Sequence, residues 1–135
     1  GNLQLNLSAV NSLVVGDRIH LTNALCNLID NAIKYSGNKP QLQIQTFNMN
    51  QYLVVEVSDK GIGIEKQFQQ KVFEKYFRVP TGDVHDVKGF GLGLAYVKTI
   101  IELHGGTIEL ESEKNIHPGS GPGKGTTFII KLPHA

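Results

Sequence analysis

The chain has 135 residues, 40% hydrophobic and 19% charged, the balance expected of a single globular domain spanning 1–135 with a buried core. A formal net charge of +1 argues against a nucleic-acid binder working by bulk electrostatics. With no apolar run near the roughly 18 residues of a membrane span and no signal-peptide pattern, a soluble domain without membrane contact is expected. One cysteine, Cys26, excludes a disulfide framework and a Cys-rich zinc site, and the five histidines show no metal-ligand spacing on one element.

In chain order, Leu3–Leu7 and Leu13–Val15 read as short strands around a turn, and Asp17 as the cap of a helix. That helix has an unusual polar face. Asn23, Asn27 and Asn31 recur every fourth residue beside Asp30 and Lys34, a stripe about 100° wide. Leu21, Ala24, Leu25, Leu28, Ile29 and Ala32 form the apolar side, and Cys26, between the two, is expected to pack. Asn inside a helix costs roughly 0.6 kcal/mol against Ala, so three cost about 2 kcal/mol. A neutral amide can offer oxygen to a hard cation and NH2 to a phosphate without adding negative charge beside a polyanion.

Gln41–Phe47 and Tyr52–Ser58 alternate apolar and polar residues, a hairpin across Asn48-Met49-Asn50. Glu65–Tyr76 reads as a short helix, and Val79–Lys88, with Pro80, Gly82, two Asp and a His, as a mobile loop. A second helix runs from about Gly91 to His104 and stops at Gly105-Gly106. His104, next to that stop, reads as structural. Thr107–Glu111 and Thr127–Leu132 close the chain as strands joined by the Gly- and Pro-rich Asn115–Gly125. The fold class is α+β: a sheet of about five strands with helices packed on one face.

Two glycine clusters carry chemistry. Asp59-Lys60-Gly61-Ile62-Gly63-Ile64 leaves a strand directly; it suits either a tight turn or a pocket floor where backbone approaches a planar ring and the carboxylate accepts from an exocyclic amine. Gly89-Phe90-Gly91-Leu92-Gly93-Leu94 runs into a helix, where free N–H groups and the positive dipole end suit phosphate. It is neither a dinucleotide fingerprint, its glycines being too close, nor a Walker loop, the Gly-Lys-Ser/Thr ending being absent.

Together and in this order, these segments resemble the ATP-binding catalytic domain of two-component sensor histidine kinases, in the superfamily shared with DNA gyrase and MutL. Residues 27–36, NLIDNAIKYS, resemble its N box; 59–64, DKGIGI, its first glycine box; 72–79, VFEKYFRV, its F box; and 89–98, GFGLGLAYVK, its second glycine box. Residues 104–110, HGGTIEL, and 123–133, GKGTTFIIKLP, resemble its closing strands. Two departures are Lys60, where the family often has Asn or Thr, and Phe90, where Thr or Ser is common. The closing loop, Asn115–Gly125, also looks longer than usual.

The resemblance implies a two-layer α/β sandwich of the Bergerat type with a mixed sheet. It implies that Asn27 coordinates Mg2+ with the triphosphate of ATP, and that Asn31 and Lys34 contact phosphate while Tyr35 lies near the adenosine. Asp59 would accept the adenine amino group over a floor kept flat by Gly61 and Gly63, with Ile62 and Ile64 lining it. Arg78 would clamp the terminal phosphates, with Lys88, in a lid formed by Val79–Lys88, as a further contact. Gly91, Leu92, Gly93 and Leu94 would present backbone N–H groups, and Thr126 or Thr127 would complete the wall. Phe73 and Phe77 are expected to pack.

ATP hydrolases of the superfamily resemble this chain but carry Glu at the position of Asn27, where it activates water. An amide cannot act as a base. The reading is therefore phosphoryl transfer, with Asn27, Lys34 and Arg78 as the catalytic set. The implied acceptor is a histidine on a separate dimerisation domain of the same parent protein, with a response regulator downstream and this domain on the cytoplasmic side, whether or not the parent is membrane-anchored. None of the five histidines sits in a suitable acceptor context, so the chain is expected to bind Mg-ATP without phosphorylating itself. The alternatives are a serine protein kinase of the anti-sigma type and a non-catalytic signalling module without nucleotide.

Overall fold

A computed structural model of the chain describes residues 2–35, 41–61, 63–74, 93–113 and 125–135, with only the backbone described at positions 2, 35 and 113. Among the described residues five strands form one mixed sheet: β1 (Asn2–Leu7), β2 (Gln41–Met49), β3 (Tyr52–Asp59), β4 (Thr107–Glu113) and β5 (Gly125–Pro133). Their spatial order is β1-β2-β3-β5-β4; β1 runs parallel to β2, and every other neighbouring pair is antiparallel. Two helices, α1 (Arg18–Tyr35) and α2 (Gly93–Leu103), pack on each other, α1 also against β3 and α2 against β4. This is the two-layer α+β arrangement expected.

Alternation along the strands builds the core. Leu42 of β2, Val57 of β3, Phe128, Ile130 and Leu132 of β5 and Ile108 of β4 meet Ala24, Leu28 and Ala32 of α1 and Val97, Ile100 and Ile101 of α2. The three α1 residues lie one turn apart and are fully buried, which defines the inward line of that helix. Cys26 sits about 160° round from Leu28 and is exposed. The expectation that it packs fails because the inward face, centred on small alanines, is narrower than its apolar composition suggests.

Asp17 is the expected cap: its carboxylate accepts the His20 N–H at 3.0 Å and its carbonyl the Leu21 N–H at 2.9 Å. The His20 N–H, with the His20 ring at 2.9 Å, holds the carboxyl below the usual range. α2 ends in a Schellman motif: Gly106 N–H bonds the Ile101 carbonyl and Gly105 N–H that of Glu102, both at 3.0 Å. Gly105 has φ +79, a conformation costly for any residue with a Cβ. His104 ties the two helices together, its Nδ1 donating to the Ile100 carbonyl at 2.7 Å and its Nε2 accepting the Asp17 N–H at 2.9 Å. The expected structural role holds.

Three expectations need correction. Leu13–Val15 is not a strand. The stretch before it is served by a side chain: Asn48 Oδ1 accepts the N–H groups of Val10 at 2.8 Å and Asn11 at 2.9 Å, and its Nδ2 donates to the Asn11 carbonyl at 2.8 Å. The Leu13 carbonyl accepts from Ala135, so no ladder is needed. Asn48 is consequently part of β2, and the hairpin turn is Asn50-Gln51, with Asn50 at φ +56 where Asn is tolerated. Glu65–Tyr76 is not an α-helix: the described part forms 3-10 turns at Lys66–Phe68 and Lys71–Phe73. The Gln69 side chain between them reaches the carbonyls of Ile64 and Ser112, both at 3.0 Å. That anchors the segment to the sheet end and leaves short turns that point Phe68, Val72 and Phe73 inward. At the other edge, β1 aligns Leu3 and Leu5 with Leu42 and Ile44, yet both stay over half exposed.

Candidate functional site

The end of the sheet carries a polar row on its core-facing side. Register places Asp59 opposite Thr126 and Thr126 opposite Ser112, across β3, β5 and β4. Asp59 is 3% exposed. Its Oδ1 accepts the Gly61 N–H at 2.9 Å, and the backbone N–H groups of Gly61 and Thr126 both favour its charged form. Desolvation nevertheless pushes the carboxyl above its ordinary range, outweighing both backbone bonds. No cation offsets the charge among the described residues. A buried, uncompensated carboxylate aimed at a chain turn is costly and marks a candidate site.

Both glycines of the Asp59 loop that are described, Gly61 and Gly63, are buried. Ile64 is 2% exposed and belongs to the core. β5 crosses so close that a Cβ on Gly125, at φ +81, would stand 1.9 Å from the Asp59 carbonyl oxygen. Thr126 rather than Thr127 shares the carboxylate's face: Thr127 lies on the other side of the sheet, its hydroxyl 2.9 Å from that of Ser58.

The amide stripe comes from α1, which packs against β3 and α2. Asn27 and Asn31 are half-buried, flanking the fully buried Ala24–Leu28–Ala32 line, whereas Asn23, Asp30 and Lys34 are exposed. α2 begins at Gly93, which is exposed and where a Cβ would meet nothing within 4 Å among the described residues; Leu94 turns into the core. The side chain of Tyr35, together with Ile62, Phe77, Arg78, Lys88, Phe90, Gly91 and Leu92, lies outside the described residues.

Among the described residues there is no cluster of three His, Cys, Asp or Glu side chains, so an all-protein metal cage is absent from them. A neutral amide on a half-buried helix face fits Mg2+ in the form it usually takes beside a nucleotide, with few protein ligands and the remaining positions filled by phosphate oxygens and water. Asp59 fits a hydrogen-bond donor such as an exocyclic amine.

Residues 16–135 fit the profile of the histidine kinase-, DNA gyrase B- and HSP90-like ATPases. The chain belongs to that family. Similar proteins include sensor kinases: the chain is 49% identical over 137 residues to the sensor protein RprX of Bacteroides fragilis and 39% identical over 120 residues to the sensor-like histidine kinase SenX3 of Mycolicibacterium smegmatis. These matches cover 98% and 89% of the chain but 24% and 29% of the two relatives, so the chain spans about a quarter of their length. Among solved structures it superposes on the mycobacterial sensor histidine kinase MprB with a TM-score of 0.80 at 29% identity, covering 98% of this chain and 84% of that one. The catalytic domain of histidine kinase ThkA gives 0.73 at 30% identity, covering 98% and 80%. The chain is thus a histidine kinase-type ATP-binding domain, and among its described residues no helix is long and apolar enough to cross a membrane.

Two residues of this ATPase-family domain escaped the motif reading. Ser112 and Gln69 brace the Asp59 loop: Ser112 Oγ accepts the Ile64 N–H at 2.6 Å, and Gln69 bridges Ile64 to β4. A signal for Ser112 was available. In Ile108-Glu109-Leu110-Glu111-Ser112 it occupies an inward position of the alternation, where a polar residue needs a partner. Gln69 carries no comparable signal.

Proposed function

We propose that this domain binds Mg-ATP at the end of the sheet and donates the γ-phosphoryl group to a histidine on a separate dimerisation domain of the parent protein. The observation that carries the reading is Asp59, a buried carboxylate with no cation beside it among the described residues, held by the backbone N–H of Gly61. Two hydrogen-bond acceptors at that point match a 6-amino purine. Asn27 would hold Mg2+ through its amide oxygen, and Asn31 and Lys34, one turn further, would meet the phosphates. Mg2+ supplies charge neutralisation on the phosphate oxygens when bound. Leu94, with Gly93 at the start of α2, would offer N–H groups to phosphate. Gly91, Leu92, Ile62, Tyr35, Arg78 and Lys88 keep the roles the family resemblance implies.

Asn27 separates transfer from hydrolysis. It orients without accepting a proton, so this chain has no base at the position where hydrolases of the superfamily carry Glu. The accepting imidazole is its own nucleophile, and the domain contributes position and charge stabilisation. A response regulator then takes the phosphoryl group. The chain alone binds nucleotide without labelling its own histidines.

Calorimetric titration with ATP in the presence and absence of Mg2+ tests this. Asp59→Ala should abolish measurable binding, and Asn27→Ala should remove the Mg2+ dependence. Retention of affinity within about threefold in Asp59→Ala, below the roughly tenfold scale of one hydrogen bond, refutes the adenine assignment. An unchanged Mg2+ response in Asn27→Ala refutes the metal role.

A further inference from the structure

Ser112 Oγ stands among three polar atoms: the Ile64 nitrogen at 2.6 Å, the Thr126 Oγ1 at 2.7 Å and the Gly125 carbonyl oxygen at 3.1 Å. A hydroxyl has one hydrogen to give and two lone pairs to receive. The amide N–H can only donate and the carbonyl can only accept. All three contacts are served at once when Ser112 donates to Gly125 and accepts from both Ile64 and Thr126. The reverse arrangement, Ser112 donating to Thr126, leaves the Gly125 contact without a hydrogen.

We propose that Ser112 is a positioning residue which draws the hydrogen of the Thr126 hydroxyl toward itself, so that Thr126 presents only lone pairs beside Asp59 and the pocket selects a 6-amino over a 6-oxo purine. The proposal rests on the reading of Asp59 as the purine acceptor. Thr126 is 4% exposed and lies directly between Asp59 and Ser112 in the cross-strand row, on one face of the sheet. With its hydrogen committed, two neighbouring acceptors face the ligand. An exocyclic amine has two hydrogens to offer them, whereas a carbonyl oxygen would set lone pair against lone pair, the arrangement by which polar sites discriminate most strongly. Gln69 supports the same end. By bonding the carbonyls of Ile64 and Ser112, each at 3.0 Å, it clips the loop to β4 and keeps the Ile64 N–H on the Ser112 oxygen. Without Ser112, the Thr126 hydroxyl is free to rotate and donate.

The experiment is titration of the chain with Mg-ATP and Mg-ITP, inosine carrying a carbonyl oxygen in place of the adenine amine. The native chain should prefer ATP. Ser112→Ala should narrow the ATP-to-ITP ratio of affinities about tenfold, the scale of one hydrogen bond, and Ser112→Thr, which keeps the hydroxyl, should restore it. In a Thr126→Val background, Ser112→Ala should leave the ratio where Thr126→Val alone put it, since the two act through one group. A merely structural Ser112 would weaken both nucleotides equally; an unchanged ratio in Ser112→Ala overturns the proposal. Thr126→Val also has to narrow the ratio, and its failure to do so overturns the proposal even if Ser112→Ala does not fold. Asp59→Asn separates the two levels. Loss of preference in Asp59→Asn with an unchanged ratio in Ser112→Ala defeats Ser112 alone, while a native chain that binds both nucleotides alike defeats the Asp59 reading and this one with it.

Discussion

Replacing Gly125 with alanine puts a methyl group into a crossing of two strands that has no space for one. The added Cβ would lie 1.9 Å from the carbonyl oxygen of Asp59, 2.7 Å from its carbonyl carbon and 2.9 Å from the Lys60 Cα. All three atoms are backbone, so no rotamer change relieves the clash, and β5 must move away from β3. The φ of +81 adds the left-handed penalty of about 1–2 kcal/mol. Forced backbone shifts from overpacking add about 1–3 kcal/mol, so the expected loss is about 3 kcal/mol. For a domain of this size that corresponds to about 10–15 °C in Tm. Urea unfolding followed by circular dichroism, with a thermal melt beside it, measures the loss. Gly105→Ala is the control: it has the same left-handed backbone at φ +79, but its nearest atom is the Pro133 Cγ at an ordinary 3.6 Å. It should lose about 1–2 kcal/mol. Equal losses in the two variants, or less than about 1 kcal/mol for Gly125→Ala, refute the steric reasoning.

Two further predictions concern the site. Gly93→Ala adds a Cβ that meets nothing within 4 Å among the described residues at the start of α2, so the unliganded domain should gain up to about 1 kcal/mol from helix propensity, while Mg-ATP affinity falls because the methyl stands where phosphate would approach; a loss of stability in the melt, or unaltered affinity in the titration, refutes the respective half. Asp59→Asn should stabilise the unliganded domain at pH 7. The folded chain holds a proton on Asp59 more tightly than the ordinary value of 3.8, so ionisation costs stability above that range and the cost disappears as pH falls through it. The advantage of the variant should therefore be present at pH 7 and shrink toward pH 3.5 in paired urea titrations; an advantage that grows on acidification contradicts the desolvation argument.

Residue patterns near one another in the chain were legible without coordinates. The period of α1, the Asp17 cap, the Gly105-Gly106 stop and the alternation of β2, β3 and β5 are dictated by local sterics and by side-chain spacing, and each stands where it was expected. The motifs around Asn27, Asp59 and Gly93 likewise identified the family before any distance was known. Other features depended on partners far away in sequence. Asn48 reads locally as a turn residue, whereas its amide serves the distant Val10–Asn11 backbone. Glu65–Tyr76 read as a helix because nothing local announces that Gln69 reaches the carbonyl of Ser112, 43 residues on. Cys26 reads as packing or exposed depending on how wide a face the sheet covers.

Residue identity settles which chemical groups this protein has to offer: amides instead of carboxylates on α1, one carboxylate at the end of β3, and glycines where ligand or backbone comes close. The environment of those groups comes from the folded arrangement. Burial, register and the sharing of hydrogens are set by strands that meet across the sheet, as in the row Asp59–Thr126–Ser112. Whether Asp59 is desolvated, and which way the Thr126 hydroxyl turns, are consequences of that meeting. No periodicity along the chain encodes them, because hydrogen bonding and desolvation depend on distance in space.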